Sequence, residues 1–268
     1  MKQFIFSFDD KKISKLKNKK NLLGGKGANL AEMGKLGLPV PPGFTITTEV
    51  CDIFYSNKKK LPTKILSQIK AEIKKIEKKT LKKFGDSKNP LLVSIRSGAR
   101  ISMPGMMDTI LNLGLNDKTV NALATKSKNP RFAKDSYRRF IQMFSNVVMG
   151  VEGHLFEEMI ENFKLTKGVL QDTEIDDSDW DGLIENFKKL VKEKTGKNFP
   201  QDVNEQLIEA ISSVFRSWES QRAKTYRKLN GIPDEWGTAV NVQAMVFGNM
   251  GSDSATGVAF TRNPSTGE

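Results

Sequence analysis

LLVSIRSGARISMPGMMDTILNLG, residues 91–114, is the stretch from which the rest of the chain is read. Leu91, Leu92, Val93 and Ile95 form an apolar run as short as a buried strand. Arg96 ends that run, and Ser97-Gly98-Ala99-Arg100 follows as a small-residue turn flanked by two guanidinium groups. Ser102-Met103-Pro104-Gly105-Met106-Met107-Asp108 is a second turn, with Pro and Gly adjacent. Thr109, Ile110, Leu111 and Leu113 then read as another strand. The pattern predicts a loop hung between two strands, with two arginines at its mouth. Arginine offers a planar fork of donors that matches phosphate oxygens. Glycine lets backbone N–H groups come close to the same oxygens. The stretch therefore predicts a polyphosphate clamp, and its plainer alternative is a β-hairpin with surface arginines.

Outward from the clamp, a second glycine cluster lies at Asn21-Leu22-Leu23-Gly24-Gly25-Lys26-Gly27-Ala28-Asn29-Leu30-Ala31-Glu32-Met33. Its glycines precede a short helix whose expected apolar side is Leu22, Leu23, Leu30, Met33 and Leu36, with Lys26 at the helix start. Free N–H groups and a lysine at a helix N-terminus attract anions. This is not a P-loop, which needs four residues between its glycines and Ser or Thr after the lysine. The alternative is a glycine-rich turn ahead of a structural helix. Around it, Gln3-Phe4-Ile5-Phe6 predicts a first strand, and residues 11–20 a lysine-rich exposed loop. Gly37-Leu38-Pro39-Val40-Pro41-Pro42-Gly43 is too rigid for helix and leads into the strand Phe44-Thr45-Ile46-Thr47. Thr48 is the expected cap of the next helix, which holds Cys51. Glu49 and Asp52 beside Cys51 raise a thiol pKa, so Cys51 reads as structural.

Between Asn116 and Pro233 helical spacing replaces period-2 alternation. Tyr137, Phe140, Ile141, Phe144, Val147 and Val148 mark a long helix starting near Arg131, and Leu155, Met159 and Phe163 a second. Asp177-Ser178-Asp179 is the expected cap of a third, carrying Leu183, Phe187 and Leu190; Leu207, Ile211, Val214, Phe215 and Trp218 mark a fourth. His154 reads as a partly buried polar residue with no catalytic partners nearby. At Trp236 the pattern reverts: residues 239–247 predict a strand, 248–253 a turn and 257–261 a returning strand. Ending on a polar turn just after one hairpin, the chain reads as a fragment with a further sheet still to come.

At 268 residues, about two domains are expected. No apolar run reaches the ~20 residues that cross a bilayer, and the N-terminus lacks a signal peptide's apolar region. A single cysteine excludes an intrachain disulfide, and a single histidine excludes a His-rich metal site. A cytoplasmic setting is expected. The net charge of +12 raises nucleic-acid binding as a reading of a different class. Against it, the lysines are dispersed. From Thr63 to Phe84, Ile65, Ile69, Ile73 and Ile76 mark one helical face, and lysines cover much of the rest without interleaved aromatics. The expectation is neither a nucleic-acid nor a membrane partner.

GGKGANLAEM at 24–33, GLPVPPGFTIT at 37–47, SIRSGARISMPGMMDTILNLGLN at 94–116, WGTAVNVQAMVFGN at 236–249 and GVAFTRNPSTGE at 257–268 form a set. Together they resemble the N-terminal nucleotide-binding part of the pyruvate, phosphate dikinase family, over essentially the whole chain. The helical middle matches least distinctly, and SMPGMMDT is the most specific piece. Phosphoenolpyruvate synthases differ at that loop and are the weaker match. The resemblance implies an α+β, ATP-grasp-like fold interrupted by a helical insertion, with its second half incomplete. The implied division is 1–115 for the N-terminal part with the phosphate loop, 116–235 for the insertion, and 236–268 for the start of a second sheet. The implied ligands are ATP and Mg2+. By residue match, Lys26 and Arg96 hold ATP phosphates, and the loop from Ser102 through Gly105 and Met107 to Asp108 closes over them. Gln243, Met245 and Val246 line the adenine pocket. The family converts ATP, phosphate and pyruvate to AMP, pyrophosphate and phosphoenolpyruvate through a phosphorylated histidine on a swivelling domain. That histidine sits in a Thr-Ser-His segment which this chain lacks. The Mg2+-holding acidic residues and the dimer-forming domain are expected beyond residue 268. The chain by itself is then expected not to run the full reaction.

Overall fold

The structure, a computed structural model, describes residues 2–268. Its strands and helices follow in the order β1 (Ile5–Ser7), α1 (Lys19–Lys35), β2 (Gly43–Ile46), α2 (Thr48–Ser56), α3 (Thr63–Thr80), β3 (Lys83–Phe84), β4 (Pro90–Leu91), β5 (Val93–Gly98) and β6 (Thr109–Leu113). Six helices come next: α4 (Thr119–Ser127), α5 (Pro130–Val147), α6 (Gly153–Lys167), α7 (Asp177–Thr195), α8 (Val203–Ser217) and α9 (Gln221–Leu229). The last strand is β7 (Ala239–Ala244). Five strands make one antiparallel sheet in the order β1-β2-β7-β5-β6, and β3 pairs with β4 apart from it. The architecture is α+β. Among the described residues no helix is long and apolar enough to cross a membrane.

The two faces of the sheet differ because side chains alternate along each strand. Phe44, Ile46, Val93, Ile95, Val240 and Val242 are all buried on one face, and α8 packs against β5, β6 and β7. Thr45, Ser94, Arg96, Gly98, Asn241 and Gln243 share the other face, where α1 lies. Thr45 donates its hydroxyl to Asn241 Oδ1 at 2.8 Å. A Cβ on Gly27 would meet Thr45 Oγ1 at 2.6 Å and Asn241 Oδ1 at 3.0 Å, so the α1 backbone rests directly on this polar face. That close approach narrows the expected apolar side of the helix to its start, where Leu23 is buried. Leu23, Gly24, Gly27 and Ala31 are buried, whereas Met33 and Leu36 are exposed. Only small residues fit under a backbone brought this near.

Residues 239–244 correct the expectation of a second sheet. β7 is the central strand of the first, paired with β2 on one side and β5 on the other. Both of its edges are therefore taken, and the returning strand expected at 257–261 does not form; those residues are exposed. The division at 115/116 is not a division of the core either. One continuous apolar cluster runs from Phe4 through Ile95 to Phe187 and Phe215, and Phe54 of α2 packs on Phe215 of α8 at 5.5 Å between ring centroids.

Smaller differences have local causes. Strand β5 runs through Arg96 to Gly98, because Ser97 and Gly98 pair with Val240 and Ala239. Thr47, not Thr48, occupies the cap position of α2, and Thr48 instead donates to Asn21 O at 2.9 Å. The cap of α7 is Asp176, which accepts from Asp179 N at 2.9 Å. In α6 the fully buried pair is Phe156 and Ile160, one position on from the expected Leu155 and Met159. His154 is exposed beside Glu152 rather than partly buried. The tract at 11–20 holds a short 3-10 helix, Lys11–Lys15, that buries Ile13. Ile65, Ile69, Ile73 and Ile76 are buried along α3 as their spacing requires.

Candidate functional site

Helix α1 is broken at Gly24, whose φ of 68° and ψ of 172° are not helical. The helix restarts immediately afterwards, which puts Lys26 in the first turn of its second segment. The break exists because β5 comes up against it: Gly25 N donates to Ala99 O at 2.9 Å. A side chain on Gly24 would coincide with the Gly98 carbonyl. Two glycine-bearing segments some seventy residues apart in sequence are thus pressed together, backbone on backbone. Lys26 and Arg96 are carried to one cleft by that contact.

The cleft has a volume of about 730 Å³ and is lined by Lys20, Lys26, Arg96 and Arg100 on its basic side. Leu30, Met33, Met103 and Met107 supply apolar lining, and Ser102, Pro104 and Gly105 form the rim. Among the described residues, neither Lys26 nor Arg96 makes an ion pair or side-chain hydrogen bond with the protein. Burial lowers the Lys26 pKa to about 8, helped by the neighbouring Arg96 charge. Arg100 stacks its guanidinium over the Trp236 ring at 5.1 Å, and its buried Nε has no partner. A half-buried lysine without a counter-ion is costly, and an anion entering the cleft between Lys26 and the exposed Arg96 removes that cost. The arrangement fits a polyphosphate.

The loop between β5 and β6 is more anchored than its composition suggests. Met103 is buried, and Met106 N donates back to Met103 O at 3.2 Å. Ile101 and Ser102 ahead of Met103 and the tip at Pro104 and Gly105 are exposed. Gly105 has φ of 72°, yet a Cβ there would meet nothing within 4 Å. The glycine is required for its backbone angle and not for space. Gly105→Asn, which tolerates this angle, should bind anions nearly as well as the unmodified chain. Gly105→Val should lose about 1–3 kcal/mol of loop order and most anion affinity, with little change in melting temperature. Calorimetric titration with tripolyphosphate, paired with thermal melts, checks both outcomes.

Of the residues expected at the site, Lys26, Arg96, Ser102, Gly105 and Met107 line one cleft. Asp108 does not. It is ion-paired with Arg222 of α9; burial raises its pKa and Arg222 opposes the rise. Gln243 shares the sheet face of Arg96, and its side chain donates to Pro41 O at 3.2 Å. Met245 and Val246 follow the end of β7, with Val246 71% exposed. None of these three lines the cleft with Lys26. Cys51 is buried and its thiol is pushed up to about 12, chiefly by that burial, in keeping with a structural role. Arg100 was visible in the sequence as the second arginine of the turn. Lys20 was hidden in a lysine-rich tract. Trp236 and Arg222 reach the loop across more than one hundred residues, and no local pattern marks them.

The family model described as the pyruvate phosphate dikinase AMP/ATP-binding domain matches residues 20–70 and 58–268. The chain is 55% identical over 269 residues to a pyruvate, phosphate dikinase of Clostridium symbiosum, covering 100% of this chain and 30% of that protein. It is 54% identical to the pyruvate, phosphate dikinase of Rhizobium meliloti, again over 100% of this chain and 30% of the relative. A chloroplastic pyruvate, phosphate dikinase of Flaveria pringlei is 53% identical over 100% of this chain and 28% of its own length. The chain thus spans about 30% of the length of the curated relatives it matches.

Proposed function

The chain belongs to the pyruvate phosphate dikinase AMP/ATP-binding domain family, and from that membership we propose that its cleft binds the polyphosphate of ATP. The observation that carries the reading is the pairing of half-buried Lys26 with exposed Arg96, two cations without counter-ions lining one cleft at the mouth of a glycine-bearing loop. In this proposal Arg96 and Lys26 hold the phosphates, and the backbone of the 102–108 loop covers them. Gln243, Met245 and Val246 take the adenine side, on the grounds that Gln243 shares the Arg96 face and Val246 is an exposed apolar side chain. Fixed positive charge at the phosphates is what phosphoryl transfer requires of a protein, since charge spreads over the transferred group.

We place this activity in a pyruvate, phosphate dikinase of ATP-grasp type, with a histidine of another domain as the phosphoryl acceptor. His154 does not suit that role: it is exposed at the start of α6 and does not line the cleft. Among the described residues no group of three or more His, Cys, Asp or Glu side chains is placed to hold a metal ion. Asp108, the carboxylate of the loop, is taken by Arg222. No carboxylate lines the cleft, so the residues that do line it act on phosphate through their own positive charge.

A proton measurement tests the reading. With its pKa near 8, Lys26 is largely neutral at pH 9 in the free protein. A bound polyphosphate favours the ammonium form and returns the pKa toward its ordinary value. ATP binding should therefore take up about a tenth of a proton at pH 7 and most of one at pH 9. Titration calorimetry in buffers of different ionisation enthalpy reads that number directly. Lys26→Met should abolish the uptake. Absence of ATP binding, or equal uptake in Lys26→Met, would falsify the assignment.

A further inference from the structure

The strand-to-loop connection at 106–109 is held from outside the cleft, by residues that touch no part of the cavity. Arg222 donates Nε to Met106 O at 3.1 Å, and its guanidinium also pairs with the Asp108 carboxylate. Asp108 N donates to Ser217 Oγ at 3.3 Å, while Ser217 Oγ donates onward to Val214 O at 2.7 Å. The next residue, Thr109, is the cross-strand partner of Arg96. One side of the loop is thus fixed to the end of α8 and the start of α9 at the point where its strand meets the clamp arginine.

The anchor on which Arg222 stands is rigid. Five residues along α9, Arg227 is fully buried and stacks on Trp218 at 4.1 Å. It donates Nε to Asp234 Oδ1 at 2.6 Å and also donates to the Trp218 carbonyl. The opposite limb of the loop has its own restraints, Gly25 N on Ala99 O and Arg100 on Trp236. Between the two limbs, Ile101, Ser102, Pro104 and Gly105 are exposed, and Met103 is buried.

We propose that Arg222 and Asp108 are positioning residues: a latch that holds the descending limb of the loop, and with it the register of Thr109 against Arg96, in the geometry that receives phosphate. This rests on the polyphosphate reading of the cleft. It assigns Asp108 a structural partner in α9 in place of a contact with nucleotide. It also gives the helical region a function at the clamp. A carboxylate left free beside a polyphosphate repels it, so two effects of Arg222 need to be separated: neutralising Asp108 and fixing the loop.

The test uses this chain, with ATP as the probe, and the variants Arg222→Gln and Asp108→Asn/Arg222→Gln. Arg222→Gln should bind ATP about ten-fold more weakly, as loss of a placed loop contact does. Its melting temperature should fall by only a few degrees, because Arg222 is exposed and the cost is that of the mostly buried Asp108 losing its partner. Backbone amides at 106–108 should exchange hydrogen faster in the variant without nucleotide, a readout that simple charge removal does not move. The double variant has no free carboxylate, and by this proposal it stays weak. Recovery of affinity in the double variant, or unchanged amide exchange in Arg222→Gln, overturns the latch while leaving the clamp standing. If the unmodified chain does not bind ATP at all, the polyphosphate reading falls and the latch with it.

Discussion

Gly24→Ala should destabilise the chain by about 4 kcal/mol or more, an exceptional cost for one added methyl group. Two independent penalties meet at this position. A side chain at φ of 68° and ψ of 172°, a region essentially confined to glycine, is strained by about 1–3 kcal/mol before it touches anything. The added Cβ also coincides with the Gly98 carbonyl, which is backbone and cannot rotate away. To make room, α1 must lift from β5, and that breaks the Gly25–Ala99 hydrogen bond and opens the face that Gly27 closes over Thr45 and Asn241. For a chain of this size the cost corresponds to a fall in melting temperature of about 10 °C. Gly34→Ala is the matched control in the same helix. A Cβ at Gly34 meets nothing within 4 Å, and its φ is not positive. Replacing it should leave stability unchanged or raise it by up to ~1 kcal/mol. Thermal melts of the two variants side by side decide the matter. Equal melting temperatures would mean that α1 and β5 are not in backbone contact.

Arg96→Ala should weaken ATP binding roughly ten- to hundred-fold without lowering the melting temperature. A hydrogen bond to a charged group contributes about 1.5–3 kcal/mol, and a guanidinium fork on phosphate stands at the upper end. Arg96→Lys should recover only part of the loss, since a point charge does not reproduce the fork. The stability side has the opposite sign. In the free protein Arg96 depresses the pKa of Lys26, after burial, by repulsion between two charges that have no counter-ion. Removing Arg96 relieves that repulsion, so the variant should melt at the same temperature or slightly higher. The pH dependence follows from the same shift. Below about pH 8 Lys26 is charged in both folded and unfolded chains, and the folded chain carries the full cost. Between about pH 8 and its ordinary pKa the unfolded chain binds more protons, so this contribution to stability improves as pH rises. A structural role for Arg96 would show instead as a lower melting temperature together with the lost affinity.

Local pattern was enough for the parts of this protein whose cause is local. The β5–loop–β6 hairpin was legible because an apolar run, two turns and a second run follow one another within 91–114. The glycines before Lys26 announced a helix start at that lysine, though the helix also runs from Lys19 up to its break at Gly24; the isoleucine spacing of α3 announced its buried face. Lys26 and Arg96 could each be named as an anion ligand from its own surroundings. Their meeting could not, since it depends on Gly24 and Gly98 accepting one another's backbone across seventy residues. Tertiary structure decided the rest. It set β7 between β2 and β5, which closed both of its edges to a returning strand from 257–261. It left Met33 of α1 and Leu36 at its end outside and put Gly27 and Ala31 inside, because a polar sheet face met at backbone distance selects small residues there. It gave Asp108 to Arg222, a pairing between residues 114 apart in sequence that no local spacing encodes. Periodicity reports which side of an element is apolar. Which surface that side meets, and how closely, is a property of the packed chain.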